Sequence, residues 1–346
     1  MKAVRFVGVG KPVQITELPK PEPKPGEVLV KIGGAGVCHS DLHVLDHGIG
    51  IDHPFTLGHE NAGWVAGVGG GVKAWKEGDA VAIYGPWGCG HCHSCLLSME
   101  NYCENWKPGQ SYGGGLGENG GMADYMIVPS ERLLVSLGKL APEDAAPLSD
   151  AALTPYHAIK KALPLLTPET TAVVLGVGGL GHMAVQLLRV LSGCRIVAAD
   201  VDDTKLNMAK KLGADLVVNT KNGDEAAEAI NKFTGPRKAA FVLDCVGVQP
   251  TYDLGQKIVG MNSQWTIVGL GGGTVVFDSN KIPFACQIST PYWGSRAELM
   301  EVLALAQSKR IHAEVTHYKL EDAAEVYHKL HDGKIKGRAV LVPNMH

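Results

Sequence analysis

The alternation of apolar strands and amphipathic helices is clearest after Thr171. Thr171–Leu175 is a short apolar run, and apolar residues then recur at helical spacing. The recurring positions are Leu180, Met183, Ala184, Leu187, Leu188 and Leu191. Such spacing forms one stripe on a helix that packs against a sheet. Arg195–Asp200 is a second apolar run that ends in an acid. The pattern predicts a strand, a helix and a second, parallel strand.

The same texture continues towards the C-terminus. Further strands are predicted at about Asp215–Asn219, Ala239–Cys245 and Trp265–Leu270, with a helix near Glu225–Phe233. Strands that alternate with helices build a parallel sheet with helices on its faces. We therefore predict an α/β fold that contains a doubly wound parallel sheet.

The first 150 residues have a different composition and periodicity. They are rich in Gly and Pro and contain short Val-rich runs such as Glu27–Val30 and Ala80–Ile83, with few helical periods. This pattern predicts a β-rich, loop-rich domain. A shorter α/β tail follows after about Ile288. Because 346 residues exceed the usual size of one domain, two domains are expected.

Composition and charge exclude several classes of partner. A net charge of -3 gives no basic excess for binding nucleic acid or an anionic membrane surface. Met1–Arg5 resembles the start of a strand rather than a secretion signal. No apolar run approaches the roughly 20 residues that span a bilayer. We expect a cytoplasmic protein that acts on a small molecule, with no nucleic-acid or membrane partner.

A glycine-rich turn joins the first predicted strand to its helix. It has the pattern G-x-G-x-x-G, and its candidate cofactor-binding residues are Gly176, Gly178, Gly179, Leu180 and Gly181. Glycines permit a tight turn and close approach of the backbone to a pyrophosphate, which the helix N-terminus attracts. Asp200, 24 residues after Gly176, would accept hydrogen bonds from a ribose and repel a 2′-phosphate. This predicts NAD rather than NADP; the alternative is an ordinary glycine-rich turn.

Glycines also follow the later strands of the predicted sheet. Gly247, Gly269 and Gly271 would lie beyond the carboxyl ends of these strands, where ligands of open α/β sheets bind. They either line the nicotinamide, Gly269 above all, or are loop glycines without a ligand.

Four of the eight cysteines lie close together. Cys89, Cys92, Cys95 and Cys103 form the pattern C-x2-C-x2-C-x7-C. In a cytosolic chain such clustering favours a metal over disulfides, and four thiolates suit one tetrahedral zinc ion. Because four sulfurs leave no open position, this zinc would be structural. An iron–sulfur cluster is the chemical rival. The intervening His91 and His93 are interpreted as exposed loop residues rather than ligands.

A second candidate metal site combines Cys38 with His59, 21 residues later. A thiolate and an imidazole can share a metal that keeps an open coordination position. Taken alone, such a pair is more often part of a core or a surface, and the spacing leaves both interpretations open.

Over nearly its full length the sequence resembles the zinc-containing medium-chain alcohol dehydrogenases, and among them bacterial NAD-dependent secondary alcohol dehydrogenases. The matching motifs are G-x-C-H-S-D-x-H from Gly36, G-H-E-x-x-G from Gly58, the four-cysteine segment, P-L-S-D-A-A-L-T-P-Y around Asp150, the glycine turn, Thr290–Gly294 and Gly333–Arg338. The resemblance implies a β-rich GroES-like catalytic domain (residues 1–151 with 288–346) and a Rossmann domain (residues 152–287). It also implies two zinc ions per chain, one catalytic and one structural, and a homodimer or homotetramer.

The resemblance further implies roles for individual residues. Cys38 and His59 would be ligands of the catalytic zinc, and Asp150 would replace the cysteine that many relatives use as third ligand. A carboxylate preserves the charge of that thiolate. Asp41 would orient a ligand imidazole.

Ser40 and His43 would carry the alcohol proton away, and Glu60 would orient His59 or approach the zinc. Thr154 would contact nicotinamide, and Arg338 would pair with the pyrophosphate.

The expected reaction is reversible hydride transfer between NAD and a primary or secondary alcohol. A polyol dehydrogenase of the same superfamily is the chemical alternative, although such enzymes often lack the four-cysteine segment. The zinc-free quinone reductases lack both metal motifs, and a nucleotide-binding structural or sensor protein would need no reactive metal. Tyr292 and Trp293 either wall the substrate pocket or pack in the core.

Overall fold

The chain, described here from a computed structural model, divides into two compact units. The described residues are 1–107, 109–343 and 345. The first unit comprises Met1–Leu153, Trp293–Lys309 and Ala313–His346, and the second comprises Thr154–Tyr292 and Arg310–His312. None of the described helices has both the length and the apolar character that crossing a membrane requires.

The strands are numbered in chain order. They are β1 Lys2–Phe6, β2 Gln14–Glu17, β3 Val28–Val37, β4 Phe55–Thr56, β5 Glu60–Val68, β6 Ala80–Ile83, β7 Gly113–Gly114, β8 Gly117–Glu118, β9 Tyr125–Val128, β10 Leu134–Ser136, β11 Thr171–Leu175, β12 Arg195–Asp200, β13 Leu216–Asn219, β14 Ala239–Asp244, β15 Val259–Ile267, β16 Gln287–Ser289, β17 Val315–Lys319 and β18 Arg338–Val342.

The helices are numbered in the same way. They are α1 His39–His47, α2 His93–Leu96, α3 Pro142–Ala145, α4 Leu153–Ala162, α5 Gly179–Leu191, α6 Asp203–Lys211, α7 Gly223–Thr234, α8 Gln249–Ile258, α9 Arg296–Gln307 and α10 Ala323–His331.

The first unit is built around a sheet of seven strands in the order β10-β6-β5-β3-β18-β17, with β9 also paired to β3. Strand β3 is central because it pairs with β5, β9 and β18, all antiparallel. Its residues are buried except Lys31, as expected for a strand covered on both faces. The carboxyl end of β3 leads directly into Cys38 and α1. The first candidate ligand is therefore positioned by a buried strand that pairs with three others.

The second unit contains a sheet of six parallel strands in the order β13-β12-β11-β14-β15-β16. Every residue of β11 is buried, which fits a central strand with helices on both faces. The apolar side chains of the strands and helices form one core, with Val173, Val197, Ile230 and Trp265 among its members. This is the predicted doubly wound sheet.

Several predicted elements are confirmed, and one has the wrong bounds. The strands at Thr171–Leu175 and Arg195–Asp200 are β11 and β12, and the striped segment is α5. The last predicted strand, Trp265–Leu270, is instead Val259–Ile267. Pairing stops there because the N–H groups of Val268 and Gly269 both donate to the Asp244 carbonyl, at 2.9 and 3.1 Å. Helix α1 was not predicted, since its polar sequence shows little apolar periodicity.

Candidate metal and nucleotide sites

Three candidate ligands from distant parts of the sequence converge in the first unit. Cys38 follows β3, His59 precedes β5, and Asp150 follows a short turn of 3-10 helix at Ala146–Ser149. The Cys38 Sγ lies 3.6 Å and the His59 Nε2 3.7 Å from Oδ2 of Asp150. All three side chains are buried, and their ligand atoms lie within 4.8 Å of one another. We refer to these residues as the reactive cluster.

Asp41 contacts two members of the reactive cluster, His59 and Cys38. Its Oδ1 lies 3.0 Å from Nδ1 of His59, which leaves the Nε2 of His59 facing Cys38 and Asp150. Its Oδ2 accepts hydrogen bonds from the Cys38 backbone N–H at 3.1 Å and from the Tyr327 hydroxyl at 3.2 Å. Asp41 thus contacts two members of the cluster at once, through a hydrogen bond from Cys38 and an ion-pair contact with His59. Its orienting role at the imidazole stays a prediction. Tyr327, on α10, was not anticipated from any sequence motif.

The donor set fits a zinc ion. Burial disfavours a charged imidazole, but the carboxylates of Asp41 and Asp150 outweigh it and raise the pKa of His59 well above its usual value. A cation at this position is therefore stabilised by its surroundings. Thiolate sulfur, imidazole nitrogen and carboxylate oxygen are all zinc ligands, and three protein ligands are the number found in catalytic zinc sites. Whether these residues bind zinc in the protein stays a prediction.

Glu60 and Arg338 form a buried ion pair beside the cluster. The guanidinium donates from Nε to Glu60 Oε2 at 2.8 Å and from Nη2 to Oε1, and Nη2 also lies 3.6 Å from Asp150. Glu60 Oε1 accepts a further bond from the Ala151 N–H at 3.1 Å. Burial raises the pKa of Glu60 to about 7, although Arg338 acts in the opposite direction. The predicted contact of Arg338 with pyrophosphate, and the role of Glu60 at the zinc, remain predictions.

The predicted proton-transfer residues lie on α1. The Ser40 hydroxyl oxygen is 3.7 Å from the Cys38 sulfur, so this residue borders the reactive cluster. His43 lies one turn further along the helix and is half-buried. The structure brings Ser40 to the cluster and places His43 on the same helix, where it is half-buried.

Trp293 packs directly on the cluster. Its ring meets the imidazole of His59 edge-on, with centroids 5.4 Å apart, and its indole N–H donates to the Ser149 carbonyl at 2.7 Å. It is 6% exposed and adopts a positive φ of 54°, which is rare for a bulky residue. A Cβ on Gly85 would overlap the indole. The sequence left core and pocket interpretations open, and the structure gives Trp293 a core position that contacts His59.

The four-cysteine segment forms a second cluster. The ligand atoms of Cys89, Cys92, Cys95 and Cys103 lie within 4.8 Å of one another, and none of these thiols is in a disulfide. The N–H of Cys92 and the side-chain amide of Asn105 donate to the Cys89 sulfur at 3.3 and 3.2 Å.

Such bonds stabilise the thiolate of Cys89, whereas burial raises the pKa of Cys95. Hydrogen bonds from the backbone, first that of His91, lower the pKa of Cys89 to about 5. A set of four sulfurs fits a closed, structural zinc site. His91 and His93 are exposed, as predicted.

The glycine turn of the second unit has the geometry that a dinucleotide requires. Gly176 has a φ of +86°, and a Cβ on Gly181 would overlap the Gly176 carbonyl. Gly178 is the N-cap residue of α5, and a Cβ added there meets no protein atom within 4 Å. Protein packing therefore does not require a glycine at this position, whereas close approach of a pyrophosphate would. The Asp200 carboxylate accepts bonds from the Val177 and Asp202 N–H groups at 2.7 and 2.9 Å, which places it beside the turn. These residues fit a bound NAD.

The loops after β14 and β15 are joined to each other in the same unit. Asp244 Oδ1 accepts bonds from the N–H groups of Val246 and Gly247, both at 2.9 Å. A Cβ on Gly247, whose φ is +75°, would overlap the Gly269 carbonyl. Close backbone packing therefore explains these glycines, and a nicotinamide contact by Gly269 stays a prediction. Thr154, the other predicted nicotinamide contact, is buried.

Comparisons with known proteins identify the fold and the family of the chain. Residues 24–139 match the alcohol dehydrogenase GroES-like domain, and residues 179–308 match the zinc-binding dehydrogenase family. An NAD-dependent alcohol dehydrogenase from Sulfurisphaera tokodaii is 35% identical, with 99% of this chain and 100% of that protein covered. The predicted fold class, GroES-like and Rossmann-like domains in one α/β chain, is confirmed.

Solved structures give the same result. The alcohol dehydrogenase from Aeropyrum pernix is 34% identical with a TM-score of 0.91, covering 99% of this chain and 100% of that one. Acetophenone reductase from Geotrichum candidum, solved in complex with NAD, is 33% identical with a TM-score of 0.87, covering 99% and 97%. These findings favour the predicted alcohol dehydrogenase over its alternatives. The chain belongs to the zinc-containing, NAD-linked medium-chain alcohol dehydrogenases.

Proposed function

We propose that this enzyme transfers hydride reversibly between NAD and primary or secondary alcohols at a zinc ion held by Cys38, His59 and Asp150. The observation that carries the proposal is the convergence of these three buried side chains, from three separate segments, on one point. A zinc ion with four protein ligands has no open coordination position and serves a structural role, as expected for the four-cysteine cluster. A set of three leaves a position for substrate.

Zinc in this set would act as a Lewis acid that lowers the pKa of the alcohol hydroxyl, and NAD would accept the hydride. The chain's own residues prepare the site for both. Asp41 fixes the imidazole of His59 so that Nε2 faces the metal position. Such partners keep the ligand ring in place and set its tautomer.

Ser40 and His43 would remove the proton. Ser40 borders Cys38 and would accept a proton from the alcohol oxygen. His43 lies one turn further along the same helix, is half-buried, and would pass the proton to solvent. Histidine suits the outer position because it exchanges protons near neutral pH. Both proposed proton-transfer residues therefore lie on α1.

The Glu60–Arg338 pair would balance the charge of the site. Two anionic ligands and a zinc ion are neutral together, so the additional carboxylate of Glu60 needs a cation of its own. Arg338 supplies it through two hydrogen bonds. The pair thereby keeps Glu60 from competing with the alcohol for the metal.

An activity panel tests the proposal. Zinc-loaded enzyme is assayed with primary alcohols, secondary alcohols and polyols, each with NAD and NADP, and zinc content is measured on the same sample. We expect the highest kcat/KM with NAD and a simple alcohol. A well-folded, active preparation without zinc at the reactive cluster would refute the mechanism, and preference for polyols would refute the substrate class.

We also propose that the chain assembles into a homodimer or homotetramer. Strand β16 is an edge of the six-stranded sheet, and the segment before it exposes Val276, Phe277 and Phe284 to 67, 76 and 80%. Exposed apolar side chains beside an edge strand favour pairing with a second copy. Light scattering on purified protein measures the oligomeric state, and a monomer at micromolar concentration would refute the assembly.

A further inference from the structure

Three histidines are stacked along one face of α1. His39, His43 and His47 follow one another at intervals of four residues, which places them on successive turns of the same face. The ring centroids of His39 and His43 are 5.6 Å apart, and those of His43 and His47 are 6.3 Å apart. His39 and His47 are exposed and His43 is half-buried. We call these residues the histidine face.

Two imidazoles one turn apart on a helix form a natural chelate for a transition-metal ion. Metal–nitrogen bonds of about 2 Å place two ligand nitrogens about 3 Å apart. Imidazoles at the observed centroid distances can reach that separation when their nitrogens turn towards each other. Exposed rings have the freedom to do so, and water can complete the coordination.

We propose that the histidine face binds one divalent transition-metal ion, in addition to the two zinc ions of the family. His43 is the central ligand, with His39 or His47 as the second. Imidazole nitrogen selects Zn²⁺, Ni²⁺ and Cu²⁺ over Mg²⁺ and Ca²⁺. The site shares no residue with the reactive cluster, whose three members are buried.

Metal binding at the histidine face also affects catalysis, an effect that rests on the proposed role of His43 in proton removal. A metal ion on His43 occupies the nitrogen lone pair that would accept the alcohol proton. Binding at the histidine face therefore slows alcohol oxidation by blocking proton removal, and the two zinc ions already bound stay in place.

The first test measures binding. Untagged, zinc-loaded enzyme is titrated with Ni²⁺ by calorimetry, and its zinc content is measured before and after. We expect one Ni²⁺ per chain with no loss of zinc. The double variant His39→Gln/His47→Gln keeps His43 but leaves it without a second ligand, and its Ni²⁺ affinity should fall about tenfold or more.

A matched control removes two histidines outside the face. His53 and His312 are exposed, so the variant His53→Gln/His312→Gln should bind Ni²⁺ with unchanged affinity. Wild-type affinity in the His39/His47 variant, or no Ni²⁺ bound by the wild type, would overturn the proposed site.

The second test measures alcohol oxidation with and without Ni²⁺, each variant being compared with its own Ni²⁺-free rate. Inhibition is expected in the wild type and the control variant and should be lost in the His39/His47 variant. If Ni²⁺ binds the face but leaves the rate of the wild type unchanged, the metal site is supported. The role of His43 in proton removal is then refuted.

Discussion

The imidazole Nδ1 of His59 lies 3.0 Å from the Asp41 carboxylate, with both side chains buried. Asp41→Asn preserves the size of this partner and removes its charge. We expect zinc affinity at the reactive cluster to fall about 10–100-fold. Zinc at the four cysteines should be retained, which provides an internal control. Zinc content after dialysis against graded chelator measures the change, and equal loss from both sites would contradict this role of Asp41.

The two metal sites should respond differently to loss of a ligand. Cys92→Ser opens the four-sulfur shell, so it should release one zinc and lower the Tm by several degrees. His59→Ala should abolish turnover, because the reactive cluster loses its only imidazole, while the zinc of the four cysteines stays bound. Metal analysis, circular dichroism and activity on the same samples separate the two outcomes. An active His59→Ala enzyme would remove His59 from the mechanism.

Preference for NAD should depend on Asp200. Its carboxylate lies beside the glycine turn, where it would face the 2′-phosphate of NADP. Asp200→Gly should narrow the NAD:NADP ratio of kcat/KM by about tenfold or more, or about 1.4 kcal/mol. Asp203→Asn removes the same charge from an exposed position three residues further on, and it should leave the ratio unchanged. A wild-type preference for NADP would contradict the assignment.

Gly85 and Trp293 should be energetically coupled. Because a Cβ on Gly85 would overlap the indole, Gly85→Ala should displace Trp293 from His59 and lower kcat/KM. In the background of Trp293→Ala the clash is gone, so the same substitution should cost much less. A double-mutant cycle on kcat/KM and on unfolding free energy measures the coupling. Additive effects would indicate that the two residues act separately.

Sequence periodicity predicted the second unit well because its elements are regular. The short apolar run of β11 is typical of a buried strand, and the apolar stripe of α5 has helical spacing. Both elements lie where they were predicted. Helix α1 was not predicted from periodicity. Its residues serve the reactive cluster and the surface rather than a core, so polar side chains stand where apolar ones would reveal a helix.

The candidate sites differ in how far their residues are separated in the sequence. The four cysteines are close in sequence, so their spacing alone indicated a cluster. Asp150 was identified only by resemblance, because it is 91 residues from His59 and the fold brings them together. No motif indicated that Tyr327 contacts Asp41, or that Arg338 pairs with Glu60. Such contacts depend on tertiary packing between segments hundreds of residues apart.

We expect His43 to carry the alcohol proton and to be a ligand of neither the zinc ion of the reactive cluster nor that of the four cysteines. His43→Gln should retain both zinc ions, because the reactive cluster has its imidazole from His59. It should slow alcohol oxidation most at low pH, where release of a proton to solvent is least favourable.

Loss of a proton-transfer residue can reduce the rate about a hundredfold, and the loss is smaller where water bypasses part of the route. An imidazole buffer should restore part of the rate, since it supplies the missing base in solution. The pH profile of kcat is therefore measured for wild type and variant, with zinc content on the same samples. A parallel profile would contradict proton transfer by His43, and loss of zinc would make His43 a ligand. Rescue by imidazole but not by a buffer of similar pKa that is too bulky to enter would place the defect at the position of the lost ring.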